Sequence, residues 1–141
     1  SLHLIEAKAR VAPLKKTTIP RLELLAATIG ARMGHRLSKE LGEVPSYFWS
    51  DSSTVLAWIR RLEPWSVFVW NRVNEIRILT NISSWRHVPG TVNPADLLSR
   101  GCFPKTLLES NWWEGPMWLK KSKTEWPDTS VPEDEEEVAI E

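Results

Sequence analysis

Thr18-Ile19-Pro20-Arg21-Leu22-Glu23-Leu24-Leu25-Ala26-Ala27 opens the strongest helical signal in the chain. Thr18 is a capping residue type, and Pro20 falls in the first turn, where a missing N–H costs nothing. Leu22, Leu25, Ala26, Ile29, Met33 and Leu37 then recur at three- and four-residue steps, which predicts one apolar face, and Gly42 closes the helix. Downstream, residues 44–50 contain Tyr47, Phe48 and Trp49 and predict a short aromatic strand. Asp51-Ser52-Ser53 opens a second helix through Val55, Leu56 and Ile59 to Arg60-Arg61. Upstream, residues 2–11 read as a strand of mixed character, ended by Pro13 and Lys15-Lys16-Thr17-Thr18.

Farther out, residues 65–80 mix strand-favouring types with a helical period carried by Val69, Val73, Ile76 and Leu79, and the period predicts a helix. Residues 84–88 predict a strand stopped by Pro89-Gly90. Asn93-Pro94-Ala95-Asp96 then reads as a cap, a first-turn proline and an N3 acid at the start of a short helix that Gly101 ends. Alternating strands and helices argue for an α/β fold. About three strands make a thin sheet, since sheets usually hold about four to six. Further strands are expected from sequence upstream of residue 1.

The 141 residues give room for one domain with a real core. Eighteen Lys and Arg balance eighteen Asp and Glu, which excludes a globally basic nucleic-acid binder, but the charge is unevenly spread. Residues 122–141 hold one lysine against eight acids, a net of −7, and the rest of the chain carries +7. A basic body beside an acidic extension suits a phosphate-binding surface, and equally an ordinary solvated face. The acid- and proline-rich end at 122–141 is expected to be a disordered tail, preceded by a Trp-rich connector at 102–121. Cys102 is alone, which excludes a disulfide framework and a Cys-rich zinc site. A reducing compartment, hence an intracellular, cytoplasmic or nuclear location, is the expectation. The apolar runs are too short to span a bilayer, so no membrane partner is expected.

Three acids carry the candidate chemistry. Glu23 lies near the start of the long helix, with Ala27, Gly30 and Gly34 on its own side leaving room for close approach. Asp51 stands where a strand ends and a helix begins, the location where α/β sheets place ligands, and Asp96 opens the last helix. Hard cations such as Mg²⁺ or Mn²⁺ need oxygen ligands brought from separate elements, and acids at element ends are suited to this. Each acid also has a purely local reading: Asp51 as an N-cap, Asp96 as the N3 acid of an Asn93 cap, Glu23 as a first-turn acid favoured by the helix dipole. His3, His35 and His87 lack ligand partners at metal spacing and read as structural. The nine tryptophans include candidates for base stacking, but core packing and packing of the C-terminal segment account for more of them.

Lys8-Ala9-Arg10-Val11-Ala12-Pro13-Leu14-Lys15 and the stretch from Thr18 to Ala27 resemble the ribonuclease H region of Pao/BEL-type retrotransposon polyproteins. Phe48-Trp49-Ser50-Asp51-Ser52 is similar to that family's strand-end aspartate segment. Trp85-Arg86-His87-Val88-Pro89 with Asn93-Pro94-Ala95-Asp96-Leu97-Leu98-Ser99-Arg100-Gly101 is similar to its last catalytic segment, and the likeness continues through Trp112-Trp113-Glu114-Gly115-Pro116 to Pro127. The resemblance implies an RNase H-like mixed sheet flanked by helices over residues 1–101, lacking its first strands. It further implies Glu23, Asp51 and Asp96 as metal-binding catalytic acids. The implied reaction is metal-dependent hydrolysis of RNA in RNA/DNA hybrids, within a polyprotein that also carries reverse transcriptase and integrase regions.

The chain departs from the family pattern in one respect with consequences. The family fold begins with two further strands, the first bearing an aspartate of the metal site, and Glu6, the only earlier acid here, falls in a different strand. The segment between Val88 and Asn93 also lacks a histidine that some RNase H enzymes carry. The expectation is therefore a retroelement RNase H fragment that is inactive alone. The alternative is a non-catalytic nucleic-acid-binding or connector module that uses Lys15, Lys16, Arg21 and Arg86.

Overall fold

The first helix, α1, spans Ile19–Leu41, and the computed structural model that contains it describes residues 2–110, 112–130 and 132–140. The further elements are β1 (Phe48–Ser50), α2 (Ser53–Arg60), α3 (Val67–Leu79), β2 (Trp85–His87), α4 (Ala95–Arg100), α5 (Pro104–Glu109) and α6 (Glu135–Ala139), with short 3₁₀ turns between them. The chain is helix-rich, with a two-stranded parallel sheet in which Phe48, Trp49 and Ser50 stand opposite Trp85, Arg86 and His87. It divides into two compact units, one of residues 12–87 and 130–141 and one of residues 1–11 and 88–129.

In the larger unit, α1 begins and ends as its sequence predicts, with Pro20 in the first turn and Gly42 at φ +87° past the last. Thr18 occupies the N-cap without a side-chain cap bond. The buried face differs from the expected one. Leu24, Ala27, Thr28 and Ala31 are buried, whereas Leu22, Leu25, Ile29, Met33 and Leu37 are half-buried and Ala26 is exposed. Small side chains at 27 and 31 allow close packing with α3, whose Val69, Val73 and Ile76 are fully buried. Arg32 on α1 clamps Glu75 on α3 through two charge-assisted hydrogen bonds of 2.7 and 2.9 Å. The remaining core is Val55 to Ile59 of α2 with Trp85, packed by Phe48, Trp65, Phe68 and Ile82.

Two contacts fix the sheet and α2 in this unit. A Cβ on Gly34 would stand 2.5 Å from the Phe48 ring, so glycine there is what admits β1 against α1. Phe48 in turn stacks on Trp85 with ring centroids 4.9 Å apart. Arg77 of α3 donates to the carbonyls of Ile59 and Arg61 at 2.6–2.9 Å, filling acceptors that the end of α2 leaves open.

The acidic end, expected to be disordered, instead carries α6. Asp134 caps it, its carboxylate accepting from the Glu136 and Glu137 amides at 3.1 and 3.2 Å. Val138 is 2% exposed within the core, and the Trp58 indole donates to the Val138 carbonyl at 2.9 Å. One aliphatic side chain and one main-chain acceptor thus anchor a segment whose composition alone argues for solvation.

In the smaller unit, residues 2–11 are not a strand as expected; they run without regular structure and mostly exposed. A strand is stable only beside a partner, and among the described residues none pairs with them. The built-in close approach here is at Gly115, φ +78°, where a Cβ would lie 2.9 Å from Leu2 Cδ2. The Trp118 indole donates to the Val92 carbonyl at 3.1 Å and meets Trp126 edge-on. Of the nine tryptophans, Trp58 and Trp85 are buried, Trp65 packs against the core, and Trp112 with Trp113 and Trp118 with Trp126 pair within the C-terminal segment.

Candidate functional site

The larger unit brings two of the three expected acids into electrostatic reach of each other. Glu23 lies in the second turn of α1 rather than the first, so the helix-dipole reading does not account for it. Asp51 occupies the bend between β1 and α2 and is exposed. It is not the N-cap of α2. Ser52 holds that position, 6% exposed, its hydroxyl oxygen accepting from the Val55 amide at 3.2 Å.

The Ser52 hydroxyl also bonds the Glu23 carboxylate, tying the second turn of α1 to the start of α2. Burial pushes the Glu23 carboxyl above its ordinary range, the Ser52 bond pulls it partly back, and the charges of Asp51 and then Glu137 push it up further. The net displacement is upward. Glu137 is the residue that sequence reading missed. It reaches this face because α6 is docked, and the Thr54 hydroxyl of α2 donates to its carboxylate. The available signal was Asp134 followed by acids and a single valine, an N-cap pattern inside an acidic run.

Asp96 belongs to the smaller unit. There it lies in the first turn of α4 and accepts from Arg100 Nε at 2.7 Å, while the Asn93 side chain accepts from the Ala95 amide. Pro94, not Asn93, holds the N-cap of α4, so Asp96 is the second helical residue and not the N3 acid expected of an Asn93 cap. Among the described residues, no group of three or more His, Cys, Asp or Glu side chains is placed to hold a metal ion. Glu23 and Asp51 have the oxygen donors that a hard cation takes, but the pair by itself does not fit a resident metal.

The basic candidates are spread along the same unit. Lys15 and Lys16 are exposed in the irregular segment ahead of α1. Arg21 lies 4.6 Å and Arg72 3.7 Å from the Phe68 ring centroid, so one aromatic ring carries two guanidinium groups. Arg86 lies 5.2 Å over the Trp49 ring, exposing less of its charge than a solvated arginine would. His87 is buried, as a structural histidine should be. An open cleft of about 430 Å³ lies beside Gly34, His35 and Phe48. Gly34 is eleven residues along α1 from Glu23, roughly 16 Å at 1.5 Å per residue, so this cleft is not the carboxylate face. No described helix is long and apolar enough to cross a membrane.

Residues 1–52 match the family model described as the Pao retrotransposon-like RNaseH-like domain. The matched stretch contains Glu23 and Asp51 and ends at Ser52, so it takes in the resemblance carried by Lys8 to Ala27 and by Phe48 to Ser52. No curated protein and no solved structure matches the chain.

Proposed function

We propose, for a chain whose residues 1–52 form a Pao retrotransposon-like RNase H-like segment, that it works as part of a retroelement nuclease and is inactive until an upstream segment completes it. The observation that carries this reading is the Glu23 carboxylate, bonded by the Ser52 hydroxyl and within electrostatic reach of Asp51, at the junction of α1, β1 and α2. In this reading the fold is an RNase H-like sheet lacking its first strands, and the half-buried leucines of α1 are the face those strands cover. The substrate is RNA in an RNA/DNA hybrid, handled beside reverse transcriptase and integrase regions of one polyprotein inside the cell.

Mg²⁺ or Mn²⁺ is the proposed cofactor, bound once further oxygen ligands join Glu23 and Asp51, with Asp96 a candidate contributor. When bound, such an ion stabilises charge developing on a phosphodiester. Asp51 would supply an exposed oxygen ligand and Glu23 a half-buried one. The non-catalytic alternative, a nucleic-acid-binding or connector module, draws support from exposed Lys15 and Lys16 ahead of α1. Cleavage of a labelled RNA/DNA hybrid in Mg²⁺ and in Mn²⁺ separates the two. The expected result is no cutting by this chain, cutting when the upstream region is restored, and loss of that cutting in Asp51→Asn. Cutting by the chain alone would overturn the claim of incompleteness. Hybrid binding without cutting in the restored protein would leave the connector reading.

A further inference from the structure

The segment 133–140 is held in the larger unit by contacts from α2 and its end, with Val138 in the core. Arg61 donates to Glu135 at 2.6 and 2.9 Å and also pairs with Glu133. Thr54 donates to Glu137, the Trp58 indole donates to the Val138 carbonyl, and the Val138 side chain is buried. These contacts bring a row of carboxylates over a guanidinium and place Glu137, held by Thr54, within electrostatic reach of Glu23. A phosphate backbone that approached this face would meet the same cation and the same negative wall.

We propose that segment 133–140 is an intramolecular latch, a polyanion mimic that occupies the Arg61 and Glu23–Asp51 face and must be displaced before a nucleic acid strand can lie there. The inference rests on the nucleic-acid reading above. The build of the segment suits displacement. A five-residue helix has no stability of its own, since isolated helices shorter than roughly 12–15 residues are marginal in water. Its anchor is one aliphatic side chain, and ion pairs that border solvent weaken as salt screens them. An apolar closure of the core alone would need only Val138. It would not need carboxylates matched to Arg61 and Thr54.

The test uses the full chain and two variants that loosen the anchor. Val138→Asp places a charge where a buried valine sits, and Trp58→Phe keeps a smaller aromatic ring while removing the indole donor. Release is read from hydrogen exchange of the amides of residues 136–140, and binding from the anisotropy of a labelled RNA/DNA hybrid at low salt. The latch predicts loss of amide protection and hybrid binding tighter by about fivefold or more, because apparent affinity scales with the open fraction. Val138→Asp makes the chain more negative, so a plain net-charge effect moves its affinity the opposite way. If Val138→Asp unfolds, Trp58→Phe carries the comparison without any change of charge. Release without tighter binding overturns the latch and leaves the nucleic-acid reading intact. Full protection retained in both variants also overturns it, since these contacts then do not hold the segment. Failure of parent and released variants alike to bind the hybrid overturns the nucleic-acid reading itself.

Discussion

Replacing Gly34 and Gly30 by alanine, one at a time, separates backbone propensity from packing on the same helix. Both glycines lie inside α1, so each alanine gains about 1 kcal/mol of helix propensity. At position 30 a Cβ meets nothing within 4 Å, and Gly30→Ala should stabilise the protein by nearly that amount. At position 34 the Cβ would sit 2.5 Å and 2.7 Å from two atoms of the Phe48 ring. Carbon atoms in contact prefer about 3.5–4.0 Å, so the ring has to move by roughly 1 Å. Phe48 is stacked on Trp85 and packed on the core, so this motion is passed to β1 and β2. Overpacking of this kind costs typically about 1–3 kcal/mol, which leaves Gly34→Ala neutral to about 2 kcal/mol destabilised after the propensity gain. The two variants should therefore differ by about 1–3 kcal/mol. Urea unfolding followed by tryptophan fluorescence, with a slope of about 2 kcal/mol/M, would place their midpoints roughly 0.5–1.5 M apart. Equal stabilisation by both alanines would refute the packing of β1 on α1, and with it the geometry that carries Asp51 to the end of β1.

Glu23→Gln should outperform the parent increasingly as pH rises. The folded-state carboxyl is raised, so the folded protein holds that proton to higher pH than the unfolded chain does, and ionising it costs stability upward from the ordinary value of 4.5. The stability gap should open through that window and then level; a gap that narrowed with pH would contradict the burial of Glu23. Ser52→Ala should cost about 1 kcal/mol through loss of the cap and move the Glu23 titration further up, which NMR of the side-chain carboxyl would follow. Arg77→Ala should cost roughly 2–3 kcal/mol, because charge-assisted bonds to the end of α2 disappear, with chemical denaturation as the assay.

Much of the architecture was legible where a short local pattern decides structure. The proline and glycine that bound α1, the Val69–Val73–Ile76 period of α3 and the strand end at 50 are all local signals. The buried face of α1 was not legible, because the leucines look more apolar than Ala27 and Ala31. The choice fell to the smaller residues because α3 needs close approach there. Residues 2–11 carry strand-forming types, but pairing depends on a neighbour and not on the segment itself. At the candidate site, Glu23 and Asp51 stood out as acids at element ends. Ser52 and Glu137 did not, since each takes its role from residues distant in sequence; the Trp58–Val138 bond alone spans 80 positions.

The cap of α2 falls on Ser52 and not on Asp51, and this one-residue offset divides two duties between neighbours. Architecture depends on the serine, and the aspartate is left to answer only to whatever chemistry it performs. A lineage that had stopped using that chemistry would be free to lose the acid at 51 while still holding the serine at 52 in place. Substitution at 51 should leave the protein as stable as its parent, whereas substitution at 52 removes the cap of α2.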